Sequence, residues 1–294
     1  MSGFRCGVVG IAGRPNTGKS SLLNRMVGHK LASVSPKAQT TRHPVTGILT
    51  TTDCQYVFSD APGFQTRHRN VFNRALNRRA SEVARDADVV LLVLEAGRFG
   101  REDREVLARI PAARKVVAAL NKVDLTKRAT DLLPFIGRLA KERDFAAIVP
   151  VSARTGKNLA ELLRVLREQL PEGGPLYPAE QLTDRDERFF AAEILREKLF
   201  QALGEELPYR CEVAIESFAE EGRLRRIEAT IFVERESQKA IVVGARGGAL
   251  KRISTAARKD MEKLFGGKVY LGVWVKVRRG WTEDERQLRR FGYA

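Results

Sequence analysis

Short apolar runs separated by stretches of helical periodicity dominate the first 170 residues. Residues 6–12, 56–59, 89–94, 116–120 and 146–151 are strand-sized and bounded by polar or turn-forming positions. The alternation predicts a mostly parallel sheet covered by helices, an α/β domain. Residues 159–170 carry apolar positions at helical spacing and stop at Pro171, after which Glu172-Gly173-Gly174-Pro175-Leu176-Tyr177-Pro178 cannot continue a helix. The first domain is therefore placed at residues 1–170, with a linker over 171–187. Beyond the linker the pattern changes. Residues 188–203, with Phe189, Ile194, Leu195, Leu199 and Leu203, predict an amphipathic helix, and residues 211–218, 225–234 and 268–277 predict strands. Residues 238–243 and 249–265 predict helices between the last two strands, so residues 188–294 form a second domain of α+β type.

The polar positions gain meaning from where the apolar runs stop. In an open parallel sheet ligands bind at the carboxyl ends of the strands, and each candidate motif begins at one of those ends. After residues 6–12 comes Gly13-Arg14-Pro15-Asn16-Thr17-Gly18-Lys19-Ser20, then Ser21 and a helical stretch. Strand, glycine-containing loop and helix start make a phosphate cradle: backbone N–H groups and the helix dipole face the anion. Lys19 would meet the β and γ phosphates, and the Ser20 hydroxyl would ligate Mg²⁺. After residues 56–59 comes Asp60-Ala61-Pro62-Gly63. Asp60 can hold Mg²⁺ through water, and the Gly63 N–H can bond a γ phosphate and lose that bond on hydrolysis.

Two further strand ends select the base. Asn121-Lys122-Val123-Asp124 follows residues 116–120, and Ser152-Ala153-Arg154-Thr155-Gly156 follows residues 148–151. The Asp124 carboxylate can accept two hydrogen bonds from guanine, which adenine lacks the donor pair to make. The Asn121 side chain and the Ala153 N–H are expected at the purine's other edge, with the Lys122 stem covering the base. GTP is predicted over ATP.

Composition and charge widen the picture. The 294 residues are 43% hydrophobic and 30% charged, as in soluble globular proteins. No apolar run approaches a membrane span, and the N-terminus leads straight into the phosphate loop without the pattern of a signal peptide. Three scattered cysteines and three histidines form no paired or ligating motif, so neither disulfides nor zinc are expected, and a reducing compartment is. The net charge of +16 points to a polyanionic partner and is unevenly distributed. Residues 1–170 hold 29 Lys and Arg against 15 Asp and Glu, residues 171–238 hold 9 against 16, and residues 239–294 hold 14 against 5. The last block contains Gly244-Ala245-Arg246-Gly247 at a helix junction, followed by Lys251 and Arg252. Such a turn lets the backbone press against a sugar-phosphate chain, and it predicts single-stranded RNA as the partner. A second basic stretch, Arg67, Arg69, Arg74, Arg78, Arg79 and Arg85, is either a solvated helix face or a phosphate contact. Trp281 is expected to pack, with Trp274 in core-like alternation.

The five segments of the first domain, with Gly13-Arg14-Pro15-Asn16 and Gln39-Thr40-Thr41-Arg42-His43, resemble the Era-like family of bacterial, translation-factor-related GTPases. The second domain resembles the KH domain of that family, and the resemblance spans nearly the whole chain. It implies a P-loop GTPase domain joined to a KH-type RNA-binding domain, a substrate of GTP with Mg²⁺, and binding to the 3′ end of small-subunit ribosomal RNA during assembly of the small ribosomal subunit. It implies that Thr41, with Thr40 as rival, meets Mg²⁺ and the γ phosphate. It also implies that Asn16 holds a potassium ion that promotes hydrolysis. Phe64 stands where Ras-like enzymes carry a water-orienting glutamine, which implies slow intrinsic turnover; Gln65 is the alternative for that role. A cytoplasmic monomer is expected, and the family's reported membrane-surface contact is compatible with the basic charge. Two rival readings remain at this stage: a tRNA-modifying GTPase, which would need an added catalytic site, and a passive RNA-binding module with a degenerate phosphate loop.

Overall fold

The computed structural model describes residues 3–35, 37, 40–65, 70–126, 129–204 and 206–293. They fall into two compact units, one of residues 1–69 and 73–184, the other of residues 70–72 and 185–294. Gln39, Arg67, His68 and Arg69 lie outside the described residues.

The first unit is built on six strands: β1 (Arg5–Ala12), β2 (Val45–Thr50), β3 (Cys54–Asp60), β4 (Val89–Glu95), β5 (Lys115–Asn121) and β6 (Ala147–Pro150). Their order is β2-β3-β1-β4-β5-β6, and every pairing is parallel except β2 with β3. Helices α1 (Lys19–Val27), α2 (Val71–Asp86), α3 (Arg101–Leu107), α4 (Leu132–Leu139) and α5 (Leu159–Gln169) alternate with the strands. Covered on both faces, a central strand has no solvent side to be polar on, and Val89 to Leu94 are all fully buried.

Strand β2 has no counterpart in the sequence reading. It is an edge strand whose pairing with β3 joins residues adjacent in sequence, and only Val45 and Ile48 of its side chains are fully buried while Thr46, Leu49 and Thr50 are partly exposed, so it lacks the apolar run of the central strands. Residues 171–184, assigned above to the linker, pack within the first unit. Gln55, buried in β3, accepts from the backbone N–H of Leu176 and Tyr177 at 2.8 and 2.9 Å and donates to the Tyr177 carbonyl at 2.8 Å. Ile48 N–H donates to the Leu182 carbonyl at 2.8 Å.

The second unit contains α6 (Glu187–Ala202), β7 (Glu212–Glu221), β8 (Leu224–Val233), α7 (Glu236–Val243), α8 (Gly248–Phe265), β9 (Lys268–Val277) and α9 (Glu285–Arg290). The sheet order is β7-β8-β9; β7 and β8 are antiparallel and β8 and β9 parallel. A parallel pair needs a crossover, which α7 and α8 provide. Ile227, Ala229, Ile231 and Val233 of β8 are buried, as are Ile253, Ala257, Met261 and Phe265 of α8.

Helix α6 forms where expected but is not simply amphipathic. Glu193, Arg196 and Glu197 are as buried as its apolar residues. Arg196 bonds Glu193 and, at 2.8 Å, Glu212 of β7, while the Tyr293 hydroxyl donates to Glu212 at 2.5 Å. Ion pairing therefore takes the place of an apolar stripe on that side. Trp281 is fully buried, its Nε1 donating to the Arg210 carbonyl at 3.2 Å and its ring edge-on to Phe72 at 5.4 Å. Trp274, expected in the core alternation, instead stands half exposed on β9.

Candidate functional site

The phosphate loop follows β1 and ends at α1. Gly18 caps that helix at φ 95°, and a Cβ there would lie 2.3 Å from Asn121 Nδ2, so both backbone angle and space demand glycine. A cleft is lined by Pro15, Asn16 and residues 18–21 of this loop, by Thr40 and Thr41, and by Gly63. Lys19 is buried, its Nζ donating to the Arg14 carbonyl at 3.0 Å, where Thr17 Oγ1 also donates at 3.1 Å. A Cβ on Gly63 would be 3.1 Å from Lys19 Nζ, which puts the Asp60-Ala61-Pro62-Gly63 turn against the loop. Asn16 is exposed with φ 64°.

Three oxygen-bearing side chains converge beside the cleft. Ser20 Oγ donates to Asp60 Oδ2 at 2.6 Å and lies 2.9 Å from Thr41 Oγ1. Thr40 Oγ1 instead donates to the Lys37 carbonyl at 2.9 Å. Burial pushes the Asp60 carboxyl up to about 6 despite Lys19 and the Ser20 and Thr41 hydroxyls. Burial likewise lowers Lys19 to about 8, against the pull of Asp60. Asp60 Oδ1 is buried with no hydrogen-bond partner among the described residues. Hard oxygen donors around an unsatisfied carboxylate suit a hard cation such as Mg²⁺.

At the far end of the site Asp124 accepts from Ser152 Oγ and pairs with Arg154 at 2.6 Å. The Ser152 hydroxyl, then Arg154, hold its carboxyl below the ordinary range. Lys122, in a left-handed turn at φ 68°, reaches Glu95 at 3.3 Å. Asn121 and Ala153 are bonded to each other and to the phosphate loop: Ala153 N–H donates to Asn121 Oδ1 at 2.9 Å, and Asn121 Nδ2 donates to the Thr17 carbonyl at 2.8 Å. Asn121 is 2% exposed, and a buried amide must spend its donors and acceptor on the nearest partners. It braces the phosphate loop to the segments that follow β5 and β6.

Two residues missed from sequence complete this brace. Arg14 is buried and bonds Asp103 Oδ1 at 3.0 Å and Glu95 Oε2 at 3.1 Å. Burial opposes ionisation of Glu95, but Arg14 and Lys122 outweigh it and keep its carboxyl below the usual range. Glu95 closes the β4 apolar run and could have been found by the strand-end rule; Asp103 lies in the first turn of α3 and carried no such signal. Phe64 is buried in the core beneath Arg109, and the Gln65 amide donates to the Gly63 carbonyl at 2.7 Å.

In the second unit Gly244 ends α7 at φ 73°, and a Cβ there would lie 2.6 Å from that of Ala249. Ala245 to Gly247 form a single 3₁₀ turn, closed by Gly247 N–H to the Gly244 carbonyl at 3.1 Å. Ala245 and Arg246 are exposed at the tip, and Lys251 and Arg252 are exposed on the first turns of α8. Space beside Gly247 is open, so a backbone can approach it closely.

Fold and sites together define a P-loop GTPase domain followed by a KH domain. Residues 8–122 match the family model described as 50S ribosome-binding GTPase, and residues 206–282 match that of the KH domain. The chain belongs to the Era family of GTPases. It is 52% identical to GTPase Era of Nitrosomonas eutropha over 292 residues, 99% of each chain. It is 47% identical to GTPase Era of Pseudomonas aeruginosa over 294 residues, 100% of this chain and 96% of the relative. Among solved structures it superposes on an Aquifex aeolicus Era variant bound to GDP and AlF4⁻ with a TM-score of 0.95 at 36% identity, covering 99% and 100% of the two chains. A structure of Era with MgGDPNP and nucleotides 1506–1542 of 16S ribosomal RNA matches with a TM-score of 0.94 at 36% identity, covering 99% of each chain. Among the described residues no helix is long and apolar enough to cross a membrane.

Proposed function

We propose that this GTPase is a switch that reads single-stranded RNA at the 3′ end of small-subunit ribosomal RNA and assists assembly of the small ribosomal subunit, acting as a cytoplasmic monomer. The observation that carries the reading is the convergence of Ser20, Thr41 and Asp60 beside the phosphate loop, in a chain that also presents a GxxG turn with exposed basic residues. Support comes from the Era structure that holds both MgGDPNP and 16S ribosomal RNA nucleotides.

In this reading residues 13–21 cradle the phosphates, Lys19 meets the β and γ phosphates, and Gly63 N–H bonds the γ phosphate. Ser20 and Thr41 hold Mg²⁺, with Asp60 reaching it partly through water; the ion neutralises charge on the phosphate oxygens when bound. Asp124, held by Ser152, accepts from guanine, and Lys122 covers the base. Phe64 offers no polar atom to a water, so intrinsic hydrolysis is slow. Asn16 holds K⁺ at the edge of the loop, where positive charge meets the developing negative charge. Turnover should then rise about tenfold or more when K⁺ replaces Na⁺ at constant ionic strength; equal rates in the two salts would exclude that role for Asn16.

Gly244, Ala245, Arg246 and Gly247 press against the RNA backbone, and Lys251 and Arg252 add charge. Arg246→Glu is expected to weaken binding of a single-stranded 16S 3′-end oligonucleotide by about tenfold or more at matched salt, with GTP affinity unchanged. Fluorescence polarisation in the GTP-bound and GDP-bound forms measures this. Wild-type affinity in the variant would refute the placement, and indifference of the wild type to the nucleotide would refute the switch.

A further inference from the structure

Strand β9 has two chemically different faces. Val269 and Val275 point inward and are buried, whereas the outward residues read Lys268, Tyr270, Gly272, Trp274 and Lys276, with no acidic residue among them. Tyr270 and Trp274 are 47% and 50% exposed. The strand lies at the sheet's edge, and its neighbour β8 places Arg226 opposite Tyr270, Glu228 opposite Gly272 and Thr230 opposite Trp274. The Arg226 guanidinium sits 4.9 Å from the centre of the Tyr270 ring. A Cβ at Gly272 would lie 2.9 Å from Trp274 Cη2 and 2.1 Å from Glu228 Oε2, so the indole and the carboxylate both lean over the position without a side chain. Glu228 Oε2 and Thr230 Oγ1 are buried there with no hydrogen-bond partner among the described residues.

Two large rings held half in water are not core packing. A protein partner's docking surface would show apolar residues at its centre with lysine depleted, whereas here lysines bracket the aromatics on the same strand. Aromatic side chains on a sheet, interleaved with cations, match the chemistry of unpaired bases on a phosphate chain.

We propose that this outer sheet face is a second RNA contact, separate from the GxxG turn, on which Tyr270 and Trp274 stack unpaired bases while Lys268 and Lys276 meet phosphates. It rests on the RNA-binding reading above and extends the bound strand beyond the about four nucleotides that a GxxG groove clamps.

The chain has two tryptophans, and Trp281 is fully buried, so quenching of tryptophan emission by a base reports Trp274. The full-length protein is titrated with a tetranucleotide and with a longer single strand of the same composition at matched salt, following emission and polarisation together. The longer strand should quench emission, and Trp274→Ala should lower its affinity about tenfold, with tetranucleotide affinity and GTP hydrolysis unchanged and Trp274→Phe restoring binding. Tyr270→Ala should act in the same direction, which guards against a folding defect in the first variant; thermal melts of both are the control. The proposal is overturned if both alanine variants bind the longer strand as the wild type does while Arg246→Glu loses it, an outcome that would leave the GxxG reading intact. If the wild type binds neither strand, the RNA reading itself fails.

Discussion

Replacing Asp124 by asparagine is expected to lower GTP affinity by about 10²-fold or more and to shift preference toward xanthosine triphosphate. Hydrogen bonds to a charged group contribute about 1.5–3 kcal/mol each, and in the proposed reading the carboxylate accepts two from guanine. Asparagine keeps one acceptor but turns an N–H₂ toward the exocyclic amine of guanine, donor against donor. Xanthine carries a carbonyl at that position and restores the match. The fold should tolerate the change. Ser152 Oγ can still donate to the amide oxygen, and the lost ion pair is with Arg154, whose side chain is 71% exposed, so it contributes little. Calorimetric titration with the two nucleotides, alongside a thermal melt, checks both halves. Undiminished GTP binding would mean that guanine is recognised elsewhere.

Lys19→Ala should remove measurable hydrolysis, with a loss of about 10²–10³-fold or more, yet leave the nucleotide-free protein as stable as before or more so. The opposite signs have one cause. Lys19 Nζ is buried with a backbone carbonyl as its hydrogen-bond acceptor, which is adequate for an ammonium waiting for phosphate but poor compensation for its lost hydration. Burial lowers its pKa to about 8 from the ordinary 10.5. Between those values the unfolded chain binds more protons than the native one, so the wild-type protein gains stability from this group as pH rises from 8 to 10.5. The advantage of the alanine variant should therefore be largest below pH 8 and shrink above it. Melting temperatures of the two proteins without nucleotide, measured across that range, test the sign; a variant uniformly less stable at every pH would contradict it.

The brace around Arg14 shows why such a site could be located from sequence but not assembled from it. Asp60, Asp124 and the phosphate loop announce themselves because each ends an apolar strand, and the sheet brings all such ends to one edge. Asp103 is 89 residues from Arg14, and nothing in its local pattern distinguishes it from any first-turn helix acid. Asn121 ends β5 where the strand-end pattern places it, but its bonds to Thr17 and Ala153 join segments that lie far apart in the chain, and only the spacing of the strands brings them together.

Period and punctuation are local, so the chain's own pattern was enough to determine the parallel sheet, the helices, the phosphate loop and the GxxG turn. A run such as Val89 to Leu94 can be satisfied only by burial on both sides, and a glycine-bounded loop between strand and helix has few other uses. What depended on residues distant in sequence was decided by tertiary structure alone. Edge strand β2 exists because β3 is there to pair with it, and the charges of α6 are buried because Glu212 and Tyr293 meet them. Trp274 faces solvent because alternation assigns a residue to a face without saying which face is covered. Helices α6 and α8 cover one side of that sheet, and only their placement turned the valines of β9 inward and its aromatic rings out.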